Sequence, residues 1–229
     1  RAVAPFRPRA DASHELRTPV ANLVVAVEAL KMSIERDPRQ AAALARDLER
    51  EAHRLRELVE HLLDLSQVEA GSLALSPEAV PVASVVERAV APFRPRADAS
   101  RLTLEVDIPP RLPPIQVDAV RTAQVLTNLL DNAFKFTPQG GRVTVVAAER
   151  RGTVEVSVAD TGPGIPETEA AHIFDRFYKV DKARARGRGG AGLGLAIAKR
   201  LVEAQGGSIT AHNREGGGAV FAVTFPRHG

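Results

Sequence analysis

The chain has 229 residues, 44% of them hydrophobic, enough to bury a core in one or two domains. The absence of cysteine excludes disulfide frameworks, thiolate metal sites and thiol redox chemistry. A formal net charge of +3, with no basic run interleaved with aromatics, argues against nucleic-acid binding, and no apolar run reaches the ~18 to 20 residues of a membrane helix.

In chain order, the first feature is a repeat: residues 1–13 recur letter for letter at 88–100. A single short repeat is not a solenoid period. The second copy continues the helical spacing of Val82, Val85, Val86 and Ala89. In the first copy, Pro5 and Pro8 are expected to block a helix entering from upstream, so residues 1–10 read as a displaced duplicate.

Leu16, Val20, Leu23, Val27, Leu30 and Ile34 recur at alternating spacings of four and three, which predicts a helix with a narrow seam, ended by Asp37-Pro38. Leu48, Ala52, Leu55, Val59, Leu62 and Ser66 repeat that pattern, and Gly71 reads as a stop. The expectation is an antiparallel helical hairpin over 11–71, which leaves so much apolar surface that it pairs with a second copy as a four-helix bundle.

Residues 72–81, rich in Ser and Pro, read as a linker to a second domain at 82–229. There Leu102, Leu104 and Val106, then Val154, Val156 and Val158, alternate as half-buried strands. Helical patterns at about 116–134 and 193–205 and a closing run with Val220, Val223 and Phe225 complete an α+β class, an α/β sandwich following the hairpin.

Five segments carry chemistry. Ser13-His14-Glu15-Leu16-Arg17-Thr18-Pro19 places His14 and Thr18 on one helix face, just off the seam. A neutral imidazole attacks phosphorus, and a carboxylate accepting its other N–H raises its nucleophilicity, a task Glu15 is placed for. Taken alone, His14 reads as one more solvated helix residue, like His53 and His61; its motif reverses that reading.

Asn128, Asn132 and Lys135, at i, i+4 and i+7, line the edge opposite Leu126, Leu129, Leu130 and Ala133. Amide oxygen suits Mg²⁺ and ammonium suits phosphate. Asp160-Thr161-Gly162-Pro163-Gly164-Ile165 follows a strand, where a strand-end carboxylate accepts from an exocyclic amine such as adenine's. Phe174-Asp175-Arg176-Phe177-Tyr178 runs into Lys179, Lys182, Arg184, Arg186 and Arg188, a basic stretch suited to closing over phosphates. Gly187 to Gly194 holds five glycines in eight residues and enters a helix at Leu193, a phosphate-binding arrangement matching neither a Walker loop nor a Rossmann fingerprint. Each of these four, alone, also reads as ordinary capping, turn or surface loop.

Together and in this order, the segments resemble the sensor histidine kinases of two-component systems, over about residues 11–226. The His14 segment is similar to that family's H box, Asn128 to Thr137 to its N box, Asp160 to Ile165 to its first glycine box, Phe174 to Tyr178 to its F box, and Gly189-Gly190-Ala191-Gly192-Leu193-Gly194 to its second glycine box. The resemblance implies that His14 is the phosphoacceptor, Glu15 the assisting base, Asn132 the Mg²⁺ ligand, Asn128 and Lys135 phosphate contacts, and Asp160 the reader of adenine N6. It further implies ATP-binding roles for Gly162, Gly164, Ile165, Tyr178, Lys179, Gly190, Gly192, Leu193 and Gly194.

By the same resemblance the fold is that of the Hsp90, topoisomerase and MutL ATP-binding domains, the substrate is ATP, and the partners are a second copy and a response regulator receiver domain. Thr18, four beyond the histidine, implies phosphatase activity toward that regulator. The piece is expected to be cytoplasmic, joined to an inner membrane only through sensor segments outside it. Two departures stand out: Pro8 where the family usually has Phe, and Ala219-Val220, expected to precede the last strand, where it usually has Ser or Thr. The alternatives are an ATPase or clamp of the Hsp90–MutL type, which needs a carboxylate base on the Asn-bearing helix, where Asp131 is nearest, and a degenerate nucleotide-binding adaptor.

Overall fold

A computed structural model describes residues 8–34, 36–150, 152–179 and 192–228. The chain divides into two compact units, Arg1–Ser66 and Gln67–Gly229.

In the first unit, α1 spans Pro8–Ser33 and α2 Pro38–Glu69. α1 is described from Pro8 onward; the expected block to a helix entering from upstream falls on residues 1–7, which lie outside the described residues. His14 therefore lies about two turns inside α1 and not at its opening. Pro19 sits within the helix and supplies no N–H to the carbonyl of Glu15. Asp37 caps α2, its Oδ1 accepting from the N–H groups of Arg39 and Gln40 at 3.0 Å each, with Pro38 opening the helix.

The two helices meet along a groove lined by Asn22, Leu23 and Ala26 of α1 and Asp47, Leu48 and Glu51 of α2, the pairing of an antiparallel hairpin. The predicted seams are only half used. Leu23, Leu30, Leu48, Leu55 and Leu62 are half-buried, but Val20, Val27 and Val59, and Ile34 just past α1, are exposed; the buried Leu58 and Leu65 of α2 lie off the predicted seam. A bundle helix carries an apolar stripe wider than one seam, and the hairpin neighbour covers one side of it.

The second unit is a five-stranded sheet under helices. In chain order it runs β1 (Glu78–Val80), α3 (Val82–Val90), α4 (Phe93–Ser100), β2 (Thr103–Asp107), β3 (Ile115–Val117), α5 (Ala119–Phe136), β4 (Arg142–Arg150), β5 (Thr153–Asp160), α6 (Gly194–Ala204), β6 (Ser208–Asn213) and β7 (Ala219–Pro226). The sheet order is β2-β4-β5-β7-β6, with only β2 and β4 parallel, and β1 pairs antiparallel with β3 in a separate ribbon. Val143, Val145 and Ala147 of β4 and Val154, Val156 and Val158 of β5 are buried on one face, alternating with half-buried neighbours.

Three expectations shift here. Glu78–Val80, read as linker, is a strand whose partner Ile115–Val117 lies too far along the chain for local pattern to reveal. Ala219 does not precede the last strand but opens it. The second copy of the repeat breaks at residues 91–92, Pro92 starting a new helix, and buries Ala89, Val90, Phe93 and Ala97. Its Pro-Arg-Ala-Asp-Ala-Ser is helical in both copies, but Arg101, with φ 54°, stops α4 where α1 continues through His14.

The helix that carries the asparagines is tightly anchored. Asp118 caps α5, Oδ1 accepting from Val120 and Arg121 N–H at 3.0 Å each and Oδ2 from Ser76 N–H at 3.1 Å. Gln205, at the end of α6, accepts from Asp118 N–H at 2.8 Å and Thr122 Oγ1 at 3.2 Å, tying the two helices.

Candidate active site

Four of the five motifs lie in the second unit, and the fold joins them edge to edge. The N box lies on α5, whose apolar face buries Leu126, Leu129, Leu130 and Ala133 against the sheet and α6. That burial turns Asn128 and Asn132 to a half-buried edge and leaves Lys135 exposed, its Nζ 4.7 Å over the ring of Phe136. Asn128 Nδ2 is buried and finds no hydrogen-bond partner among the described residues. An unpartnered buried amide costs about 1–3 kcal/mol, so its acceptor lies outside the described residues.

Beside it starts α6. A Cβ placed on Gly194 would stand 3.6 Å from the side chain of Asn128, so the second glycine box and the N box touch. Leu193, at the N-cap, is buried and makes no capping side-chain bond, and no acidic residue occupies the first turn. Among the described residues no side chain caps the first N–H groups of α6, an arrangement that suits an anion.

Gly192, with φ +74°, packs against Phe177 and Tyr178, and Phe177 donates its N–H to Gly192 O at 3.0 Å. Phe177 itself has φ 58°, a region that costs a bulky side chain strain. Tyr178 and Lys179 are half-buried beside this contact. Gly190 lies outside the described residues.

Asp160 ends β5 with 3% of its surface exposed. Its Oδ1 accepts from Gly162 N–H at 2.8 Å and Ala219 N–H at 3.3 Å. Burial pushes this carboxyl above aspartate's usual 3.8, against the opposing pull of those two N–H groups and the charge of Arg214. Gly162 lies against the carbonyl of Phe136, bringing the first glycine box to the end of α5, where Phe136 is exposed.

Sequence reasoning missed Phe136, a single aromatic at a helix end, and Asn213, whose amide pairs with the backbone of Ile165. Neither sits in a periodic pattern that marks it. Asp131 does not reach the asparagine edge as a free base: it is exposed and pairs with Arg96 of α4 at 2.6 Å. The side chains of His14, Glu15 and Thr18 lie outside the described residues, and their backbone belongs to α1.

The comparisons with known proteins agree with this arrangement. The family described as His Kinase A (phospho-acceptor) domain matches residues 10–71, and that described as Histidine kinase-, DNA gyrase B-, and HSP90-like ATPase matches residues 117–229. SenX3 of Mycolicibacterium smegmatis, a sensor-like histidine kinase, is 34% identical over 219 residues, covering 96% of this chain and 56% of its own length. The chain thus spans little more than half of that relative. Among solved structures, the histidine kinase AdeS of Acinetobacter baumannii superposes with a TM-score of 0.74 at 27% identity, over 94% of this chain and 98% of its own. The mycobacterial sensor histidine kinase MprB matches with a TM-score of 0.55 at 31% identity, over 68% of this chain and 99% of its own.

Proposed function

Because the chain belongs to the sensor histidine kinases and carries their catalytic core, we propose that its second unit binds ATP and that His14 receives the γ-phosphoryl group. The single observation that carries the binding site is Asn128, whose buried Nδ2 finds no partner among the described residues, beside the N-terminus of α6, where Leu193 supplies no side-chain cap. Phosphate oxygens are the acceptor and the anion that this pair of features fits.

Adenine enters at the other end of α5, where Asp160 Oδ2, which accepts no hydrogen bond from a described residue, takes the N6 amine. Phe136 offers the base an exposed ring face. Among the described residues no cluster of three His, Cys, Asp or Glu suits a metal, so Mg²⁺ fits as an ion carried mainly by substrate phosphates, with the amide oxygen of Asn132 as its protein ligand. Bound there, Mg²⁺ supplies neutralisation of phosphate charge. Asn128 and the N–H groups of α6 orient the polyphosphate, Lys135 reaches towards it from the adenine end of α5, and Tyr178 and Lys179 flank it.

Transfer forms a bond between an imidazole nitrogen of His14 and the γ-phosphorus and breaks the bond to the β,γ-bridging oxygen, so ADP leaves. Glu15 accepts the proton of the other ring nitrogen. The phosphoramidate then passes its phosphoryl group to an aspartate on a response regulator receiver domain, and in a separate phosphatase step Thr18 orients a water that attacks the phosphorus of the aspartyl phosphate, breaking its P–O bond to the carboxylate and releasing inorganic phosphate. A homodimer forms through the apolar residues that the hairpin leaves exposed. In the full-length protein, sensor segments outside this chain anchor it to the membrane; no helix among the described residues is long and apolar enough to cross one. The clamp-type ATPase reading needs a free carboxylate on α5, and Asp131 is engaged with Arg96.

Incubation with γ-labelled ATP and Mg²⁺ tests this. Wild type gains acid-labile, base-stable label, whereas His14→Gln and Asn132→Ala gain none; label on His14→Gln rejects the assignment.

A further inference from the structure

Asn213 closes β6, outside every motif. Its side-chain amide grips one residue from both sides: Oδ1 accepts Ile165 N–H at 2.7 Å, and Nδ2 donates to Ile165 C=O at 2.7 Å. Across the ladder Asn213 pairs with Ala219, whose own N–H reaches Asp160 Oδ1 at 3.3 Å. One rung of the β6–β7 hairpin therefore holds both ends of the Asp160–Ile165 loop, the side chain at its exit and the backbone at its entry.

The neighbouring glycines are cut to this fit. Gly164 has φ +77°, and a Cβ there would come within 2.7 Å of Asn213 Oδ1. Gly218, just before the rung, has φ +94°, and a Cβ there would collide with the carbonyl oxygen of Asp160. Only a primary amide offers a donor and an acceptor side by side to a single backbone residue; a carboxylate has acceptors alone, and a hydroxyl reaches one group at a time.

We propose that Asn213 is a positioning residue for the nucleotide base: its amide fixes the Asp160–Ile165 loop so that the Asp160 carboxylate meets the exocyclic amine of adenine. This rests on the reading of Asp160 as the acceptor of that amine. Asn213 acts on base recognition and not on phosphoryl transfer, which uses the far end of α5 and the start of α6.

The test is calorimetric binding of ADP and IDP, whose hypoxanthine carries a carbonyl in place of the amine, to wild type, Asn213→Ala, Asn213→Asp, Asn213→Ser, Asp160→Asn and the Asn213→Ala/Asp160→Asn double variant. Wild type prefers ADP. Asn213→Ala and Asn213→Asp weaken ADP about ten-fold, the worth of one or two neutral hydrogen bonds, and leave IDP nearly unchanged. Asn213→Ser, keeping one of the two bonds, falls between. The double variant binds ADP no more weakly than Asp160→Asn alone. In autophosphorylation, Asn213→Ala raises KM for ATP and keeps kcat.

Equal loss of ADP and IDP, additive losses in the double variant, or an undiminished preference in Asn213→Ala while Asp160→Asn loses its own, each overturns the positioning role alone. A preference for ADP that survives Asp160→Asn overturns the adenine reading, and the role of Asn213 with it.

Discussion

Asp160 illustrates how one residue is set between stability and function. Its carboxyl titrates above aspartate's usual 3.8 because burial outweighs the two N–H groups it accepts from and the charge of Arg214. The folded state therefore holds its proton more tightly than the unfolded chain does, and ionisation costs stability: the cost is absent below pH 3.8 and fully present above the raised value. Asp160→Asn, neutral throughout, is expected to unfold at a urea concentration no lower than wild type at pH 7, with the two converging below pH 3.8. The same variant loses about ten- to hundred-fold in ATP affinity, since a hydrogen bond to a charged group is worth roughly 1.5–3 kcal/mol. A stability loss at pH 7 together with unchanged affinity contradicts both halves. At this scale the sequence was most legible: a carboxylate at a strand end before Gly162 and Gly164 announces itself, because both its chemistry and its turn are local. Asn213 could not be read, since its meaning depends on a rung that pairs it with Ala219 and on a loop 48 residues earlier.

At the scale of elements, α5 is the axis of the site, and its anchoring at Asp118 explains why. Burial alone raises the carboxyl of Asp118, but the N–H groups of Arg121, Ser76 and Val120 and the charge of Arg121 outweigh it, and the net shift is below 3.8. The sign is opposite to that of Asp160: the contribution is complete above pH 3.8 and disappears as pH falls through the lowered value. Asp118→Ala is expected to lose about 1–2 kcal/mol at pH 7, the worth of an N-cap, with the difference from wild type shrinking in acid; urea melts at pH 7 and pH 3 measure both. The helix itself was readable from its 3.6-residue period, and so were the apolar alternation of β5 and the apolar run of β7. The ribbon of β1 with β3 was not, because three-residue strands 35 or more residues apart carry no period to detect.

At the scale of the molecule, the two units solve different burial problems. The second covers its sheet with its own helices, leaving Val120 and Phe136 as its exposed large apolar side chains among the described residues. The hairpin leaves Val20, Val24, Val25, Val27, Met32 and Ile34 of its first helix and the loop after it, and Val59 and Leu63 of its second, facing water. Such a concentration on one small unit marks an interaction surface, and a self-complementary one satisfies it without a further partner. A charge at Val24, 55% exposed, or Leu63, 57% exposed, meets water in the single chain, so it does not destabilise the hairpin fold. In a bundle with a second copy the same charge has to be desolvated, and by symmetry each substitution enters the interface twice. The Val24→Arg/Leu63→Arg variant is therefore expected to sediment as a monomer at micromolar concentration where wild type sediments as a dimer. Its ADP affinity should match that of wild type, because the nucleotide site is built within a separate compact unit. A variant that stays dimeric places the contact on another face, and one that loses ADP binding shows that the two units fold as one.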